Sequence, residues 1–222
     1  MDLRKYDLYI LDYDGTLIDS MPMWRSIASK YIKHLGYIPK EDLDDRIPIF
    51  TNKSCAETLK IEYDIPMSVQ EIMEDISEYV DRVYPDVKLK AGAFELLNAL
   101  RNLNKKIVVI SASSYHIVDL SMKKLEIRDY FSEVISVDDN ALLSKSNGSA
   151  MEFVRNKYNI KKDKILMMDD ALASVIGAKS VGIDIIAIHD DFTSSGHKDE
   201  LIKNSIAYMS MKELSDRFWF IN

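Results

Sequence analysis

Five short, mostly apolar runs constrain what this chain can fold into more than any other feature. They are Tyr6 to Leu11, Ile107-Val108-Val109-Ile110, Glu133 to Val137, Ile165-Leu166-Met167-Met168 and Ile183 to Ile188. Short runs that are apolar at nearly every position belong to strands covered on both faces, the kind that parallel sheets use. Between them lie segments with helical spacing. Phe94 to Leu103 places Leu96, Leu100 and Leu103 on one side, and Val118, Met122 and Leu125 fall in register. Ala150 to Tyr158 and the stretch marked by Leu172, Val175 and Ile176 follow the same rule. Strand alternating with helix predicts an α/β fold.

The first gap in the alternation is longer and different. Ser20-Met21-Pro22 reads as a helix start, with a Ser cap and Pro in the first turn. Met23, Ile27 and Tyr31 then share a face, Ser54 to Ile61 is a second helix, and Val69, Ile72, Met73, Ile76, Val80 and Val83 form the clearest helical stripe in the chain. No strand is predicted between Pro22 and Tyr84. The expected architecture is therefore a doubly wound, Rossmann-like parallel sheet built from residues 1–19 and 88–222, with an α-helical domain inserted as residues 20–87. After Asp190 the reading is a loop, a helix around Lys198 to Asn204, and an apolar ending, Phe218-Trp219-Phe220-Ile221, that packs on the core. No internal repeat or low-complexity segment is present.

Composition narrows the class. A formal net charge of −7, from 29 basic and 36 acidic side chains, argues against binding nucleic acid through its phosphates. No apolar run approaches the ~20 residues of a membrane span, and the first residues lack a signal-peptide core. The single cysteine, Cys55, has no internal partner, which fits a reducing cytoplasm. His34, His116, His189 and His197 have no metal-ligand spacing.

Chemistry collects where the strands end. The first strand delivers Asp12 and Asp14 in Asp12-Tyr13-Asp14-Gly15-Thr16, the second Ser111, and the fourth Asp169 and Asp170; Lys145 lies in the loop before the fourth. Each has an ordinary alternative: Asp-x-Asp-Gly as plain turn chemistry, Ser111 and Asp170 as helix N-caps, Lys145 as a solvated charge. Together they fall on one edge of a doubly wound sheet, where such folds bind ligands. Clustered carboxylates repel and resist desolvation, and a hard cation such as Mg²⁺ resolves both problems with oxygen ligands. A phosphate-and-metal site is the expectation.

These motifs resemble the haloacid dehalogenase-like superfamily of phosphotransferases. Its first motif, Asp-x-Asp-Gly-Thr, is matched by Asp12 to Thr16, its second by Ser111, its third by Lys145 and its fourth by Asp169-Asp170. One departure stands out: where relatives follow the Lys with Pro-x-Pro-Asp, this chain has Ser146-Asn147-Gly148-Ser149. The helical insertion is similar to the cap domain of the branch that contains phosphoglycolate phosphatases and β-phosphoglucomutase.

The resemblance implies Asp12 as a nucleophile that carries the phosphoryl group, and Asp14 as the proton shuttle. It implies Ser111, the backbone N–H of Ala112, Lys145 and Thr16 as phosphate-site residues. Asp12, Asp170, supporting Asp169 and the backbone carbonyl of Asp14 would hold Mg²⁺. The cap, hinged near Asp19 to Pro22 and Leu89 to Gly92, would set specificity, with Trp24, Arg46, Asn52 and Lys53 as candidate contacts. The expected function is a Mg²⁺-dependent phosphatase of a small phosphorylated metabolite, sugar phosphates included, acting as a monomer or weak homodimer. Two rivals remain: a β-phosphoglucomutase-like phosphomutase, from which Thr16 leans slightly away, and a non-catalytic phosphate-binding module. Haloalkanoate dehalogenation is disfavoured, because that chemistry lacks the acid that stands here at Asp14.

Overall fold

A computed structural model describes residues 2–47 and 53–219. The first strand, β1 (Leu8–Leu11), is buried at every position. The helical stretch that follows comprises α1 (Met21–Trp24), α2 (Ile27–His34), α3 (Leu43–Arg46), α4 (Lys53–Tyr63) and α5 (Val69–Val83). The chain then runs through α6 (Ala93–Asn102), β2 (Lys106–Ser111), α7 (Tyr115–Lys124), β3 (Glu133–Ser136), α8 (Ser149–Tyr158), β4 (Ile165–Asp169), α9 (Leu172–Val181) and β5 (Asp184–Ile188). It closes with α10 (Ser195–Asn204), β6 (Ala207–Met209) and α11 (Met211–Trp219).

The six strands form one parallel sheet in the order β3-β2-β1-β4-β5-β6. That is the doubly wound Rossmann order, which reverses direction between β1 and β4. The central strands explain the apolar runs, since Leu8, Ile10, Val108, Ile110, Ile165 and Met167 all sit in one fully buried cluster with residues of the flanking helices. β6 and α11 were not foreseen. β6 has three residues, pairs with β5 alone and is only half-buried at Ala207 and Tyr208, so it carries no unbroken apolar signature.

By backbone proximity the chain divides into two compact units, residues 1–19 with 88–222, and residues 20–87. In the second unit α5 buries Ile72, Ile76 and Val80 of its stripe, and starts with a full capping box between Ser68 and Glu71. Its first helix is interrupted after Trp24. Ser26 Oγ donates back to the carbonyl of Pro22 at 2.7 Å, a local bond that competes with helix propagation. In the first unit, the outgoing and returning linkers pair with each other: Asp19 N–H donates to Lys88 O and Lys90 N–H to Leu17 O, both at 2.9 Å. Among the described residues no helix is long and apolar enough to cross a membrane.

Replacing Ser68 with Ala removes one half of the capping box. It should cost the helical unit about 1 kcal/mol, read as a lower denaturation midpoint with an unchanged slope.

Candidate active site at the strand ends

The pairing of β1 with β4 continues one residue past the end of β1. The N–H of Asp12 donates to Met168 O at 2.9 Å, so Asp12 keeps the sheet's register and its side chain stands beside the end of β4. Asp12 is 3% exposed and Asp169 is fully buried. Lys145 reaches in from the loop before α8 and donates to Asp12 Oδ1 at 2.6 Å and to Asp169 Oδ2 at 2.8 Å. Asp170 accepts from Thr16 Oγ1 at 3.0 Å. Carboxylate oxygens of Asp12, Asp169 and Asp170 lie within 4.8 Å of one another. Gly15 makes this closeness possible. It has φ +75°, and a Cβ there would lie 2.6 Å from Asp170 Oδ2.

The electrostatics favour a cation. Three carboxylates, Asp12 and Asp169 buried and Asp170 half-buried, share one ammonium, so full ionisation leaves two negative charges uncompensated. Desolvation raises the Asp12 pKa well above the carboxylate range; Lys145 opposes this, and Asp169 and Asp170 add to it. Desolvation and the charge of Asp169 push Asp170 up to about 7, against partial relief from Lys145 and Thr16. Burial works against the Lys145 ammonium, but Asp12 and Asp169 outweigh it and hold Lys145 charged. An all-oxygen, over-negative donor set of this kind fits a hard divalent cation.

Asp14 stands apart from this cluster although it is only two residues from Asp12. Tyr13 between them is buried, and its hydroxyl bonds Ser121 Oγ of α7 at 2.9 Å. Asp14 Oδ2 accepts from Ser113 Oγ at 2.7 Å, with Ser111 Oγ at 3.5 Å. Ser111 Oγ in turn accepts the Ser113 N–H at 3.0 Å, and Ala112 between the two serines is exposed. Neither Ser111 nor Asp170 is a helix N-cap; Ser114 and Ala171 take those positions.

Sequence reasoning missed Ser113, which is one hydroxyl in a serine-rich turn. It also missed Gly177. In the middle of α9, glycine weakens a helix by up to about 1 kcal/mol relative to Ala. Here a Cβ would lie 1.8 Å from the Lys145 carbonyl oxygen. Gly148, with φ +77°, packs against the same turn, where a Cβ would meet Val181 and the carbonyl of Gly177. Two glycines thus seat the loop that carries Lys145, and they do so where the Pro-x-Pro-Asp sequence is missing.

In the helical unit, Trp24 packs against Tyr84 with the rings tilted by 51° and their centroids 5.6 Å apart. Arg46 makes a forked pair with Glu62, 2.9 Å on its Nη2 side, and contacts Asp42 at 2.8 Å, so its guanidinium is engaged inside that unit. Lys53 is exposed and lies 3.6 Å from Glu57. Asn52 lies outside the described residues.

The raised Asp170 pKa has a signed consequence. In metal-free protein its ionisation opposes folding, and that penalty grows as pH rises from about 4, the unfolded value, to about 7. In EDTA, Asp170→Asn should therefore unfold at a higher temperature than wild type at pH 7.5, and the gap should shrink towards pH 4.5. Added Mg²⁺ should raise the wild-type midpoint more at pH 7.5 than at pH 5, and should do little for the variant. Thermal scans across pH check both outcomes.

Comparison with known proteins agrees with the geometry. Residues 9–188 match the family described as haloacid dehalogenase-like hydrolase. A phosphoglycolate phosphatase of Chromobacterium violaceum is 25% identical over 218 residues, covering 93% of this chain and 96% of its own. A phosphorylated carbohydrates phosphatase of Thermotoga maritima is 23% identical over 178 residues, covering 80% and 82%. Among solved structures, a Thermotoga maritima protein provisionally assigned as a beta-phosphoglucomutase superposes with a TM-score of 0.84 at 20% identity, covering 97% of this chain and all of that one. CbbY from Rhodobacter sphaeroides, solved with phosphate, gives a TM-score of 0.73 at 15% identity, covering 94% and 96%. The family match spans most of the chain and includes all the strand-end acids, and the chain belongs to the haloacid dehalogenase-like hydrolases.

Proposed function

We propose that the protein is a Mg²⁺-dependent phosphatase of a small phosphorylated metabolite that works through an aspartyl-phosphate on Asp12. The observation that carries this reading is the division of labour between two neighbouring acids. Asp12 is buried and clamped by Lys145 beside Asp169 and Asp170, while Asp14 is held separately by Ser113. A binding module needs no second acid set apart in this way.

The steps follow from the residues. An Asp12 oxygen attacks phosphorus and the bond to the leaving oxygen breaks. Asp14 gives that oxygen its proton, then takes a proton from the water that hydrolyses the aspartyl-phosphate. Ser111 and the N–H of Ala112 bind phosphoryl oxygens at the end of β2, and Lys145 offsets charge on the phosphoryl group and Asp12. Thr16 steadies Asp170. Asp12 and Asp170, supported by Asp169 and the Asp14 carbonyl, would hold Mg²⁺, which supplies charge neutralisation for an anionic nucleophile meeting an anionic substrate.

Residues 20–87 serve in this reading as the cap domain that sets specificity, and residues 1–19 and 88–222 as the catalytic core. Phosphoglycolate and phosphorylated carbohydrates are the first substrates to assay, since relatives are named for them. A requirement for a sugar bisphosphate would instead favour the mutase. The lone, buried Cys55 accords with a reducing cytoplasm.

Asp12→Asn should lower turnover on the order of a thousandfold or more with the fold intact. Acid-quenched wild type should carry a phosphoryl adduct on the peptide containing Asp12, and the variant none. Retained turnover, or an adduct elsewhere, would remove the proposed nucleophile. Gly177→Ala should displace Lys145 and cost about a hundredfold in kcat/KM. In a Lys145→Met background the same change should cost little more, because the two act through one ammonium.

A further inference from the structure

We propose that Ser113 is a positioning residue for the acid–base carboxylate Asp14, and that it acts on the leaving-group side of the reaction and not on the phosphoryl group. The inference rests on the reading of Asp14 as proton donor given above.

The two serines at the end of β2 have different partners. β1 and β2 are hydrogen-bonded neighbours, with Leu11 opposite Val109, so the loops that leave them emerge side by side. Ser111 is the last residue of β2 and is fully buried. Its Oγ accepts the Ser113 N–H at 3.0 Å, a local turn that folds the chain back and aims residue 113 at the neighbouring loop. Ser113 Oγ then donates to Asp14 Oδ2 at 2.7 Å, while the Ser111 contact to the same oxygen, 3.5 Å, is at the limit of a hydrogen bond. One short bond thus comes from Ser113.

Asp14 needs such a support. Its own backbone is fixed by the Gly15 turn and by Tyr13, whose hydroxyl is tied to Ser121, and neither sets the rotation of the carboxyl group. A carboxyl that must meet a leaving oxygen has to be oriented before the bond breaks. Ser113 holds one carboxyl oxygen in a defined place across the two loops. As the Asp12 oxygen–phosphorus bond forms and the phosphorus–leaving oxygen bond breaks, the Asp14 proton passes to the leaving oxygen, and the resulting carboxylate keeps the Ser113 bond.

This assignment separates Ser113 from Ser111 chemically. A phosphate-binding hydroxyl matters for every substrate alike. A group that orients the proton donor matters only where the leaving oxygen needs a proton. Alkoxide leaving groups need one, whereas p-nitrophenolate departs without help.

The test is a leaving-group series measured as kcat/KM, which reports the step that expels the alcohol. In Ser113→Ala, kcat/KM should fall about 10- to 100-fold for an alkyl phosphate and about threefold or less for p-nitrophenyl phosphate. The backbone N–H to Ser111 is retained in that variant, so the inhibition constant of inorganic phosphate should not change. Ser113→Thr, which keeps the hydroxyl, should recover most of the alkyl phosphate activity. Equal losses on both substrates, or weakened phosphate inhibition, would make Ser113 a phosphoryl ligand and overturn the proposal. No loss on either substrate would overturn it as well. Asp14→Ala run in parallel separates the two levels. If it shows the leaving-group pattern and Ser113→Ala does not, only the role of Ser113 falls. If Asp14→Ala itself loses activity equally on both substrates, the reading of Asp14 as proton donor falls with it.

Discussion

The Lys145 ammonium between Asp12 and Asp169 is the interaction on which the rest of the site depends. It joins the end of β1 to the end of β4 at 2.6 and 2.8 Å, and it does so in nearly complete burial. A buried pair gains stability only when its geometry is good and its partners are satisfied; otherwise desolvation wins. Here the ammonium has two carboxylates, and the carboxylates have one ammonium among three. The imbalance costs stability while no cation is bound, because burial and like charges work against the ionised carboxylates. Anionic groups are crowded where the sheet brings strand ends together, and the missing positive charge is what a divalent cation can supply.

Everything near that pair serves approach distance. Gly15 leaves room for the Asp170 carboxylate, and Gly177 leaves room for the Lys145 backbone. Two glycines on different elements thereby act on the same cluster from opposite sides. The second is the more informative, because a helix interior gives glycine no local reason to be there. With Gly148 it replaces proline stiffness by close packing in holding the lysine loop.

The fold was largely legible because its central strands are buried on both faces and therefore read as unbroken apolar runs. β1, β2 and β4 declare themselves in this way, and the acids at the ends of β1 and β4 stand out by contrast. β6 does not, since an edge strand of three residues, two of them half-buried, has no such run, and the start of α11 is marked only by the short Ser210–Glu213 capping box. At the site, residue types and spacing pointed to Asp12, Asp14, Ser111, Lys145 and the Asp169-Asp170 pair, and the structure brings all six to one edge. Ser113 and Gly177 were out of reach. Their importance lies in what they face, Asp14 in one case and the Lys145 carbonyl in the other, and that is a property of the tertiary structure. Arg46 shows the converse. A lone arginine in a polar stretch invites a substrate role, yet Glu62 and Asp42 already occupy its fork.

The two acids of the opening motif differ in how they are held, and that difference is the deeper content of the motif. Asp12 still belongs to the sheet, for its N–H is bonded to Met168 O and its side chain is locked by Lys145. Asp14 lies beyond the end of β1, just before the left-handed Gly15, and its carboxyl accepts a short bond from a hydroxyl of another loop. A nucleophile gains from rigidity, because it must meet one phosphorus atom along one line. In the proposed reading Asp14, as the proton shuttle, must serve the leaving oxygen and then a water, and the Ser113 hydroxyl orients its carboxyl for the first of them. Placing one acid directly after β1, still bonded to β4, and the other two residues further on gives the two carboxyls different surroundings within a single turn.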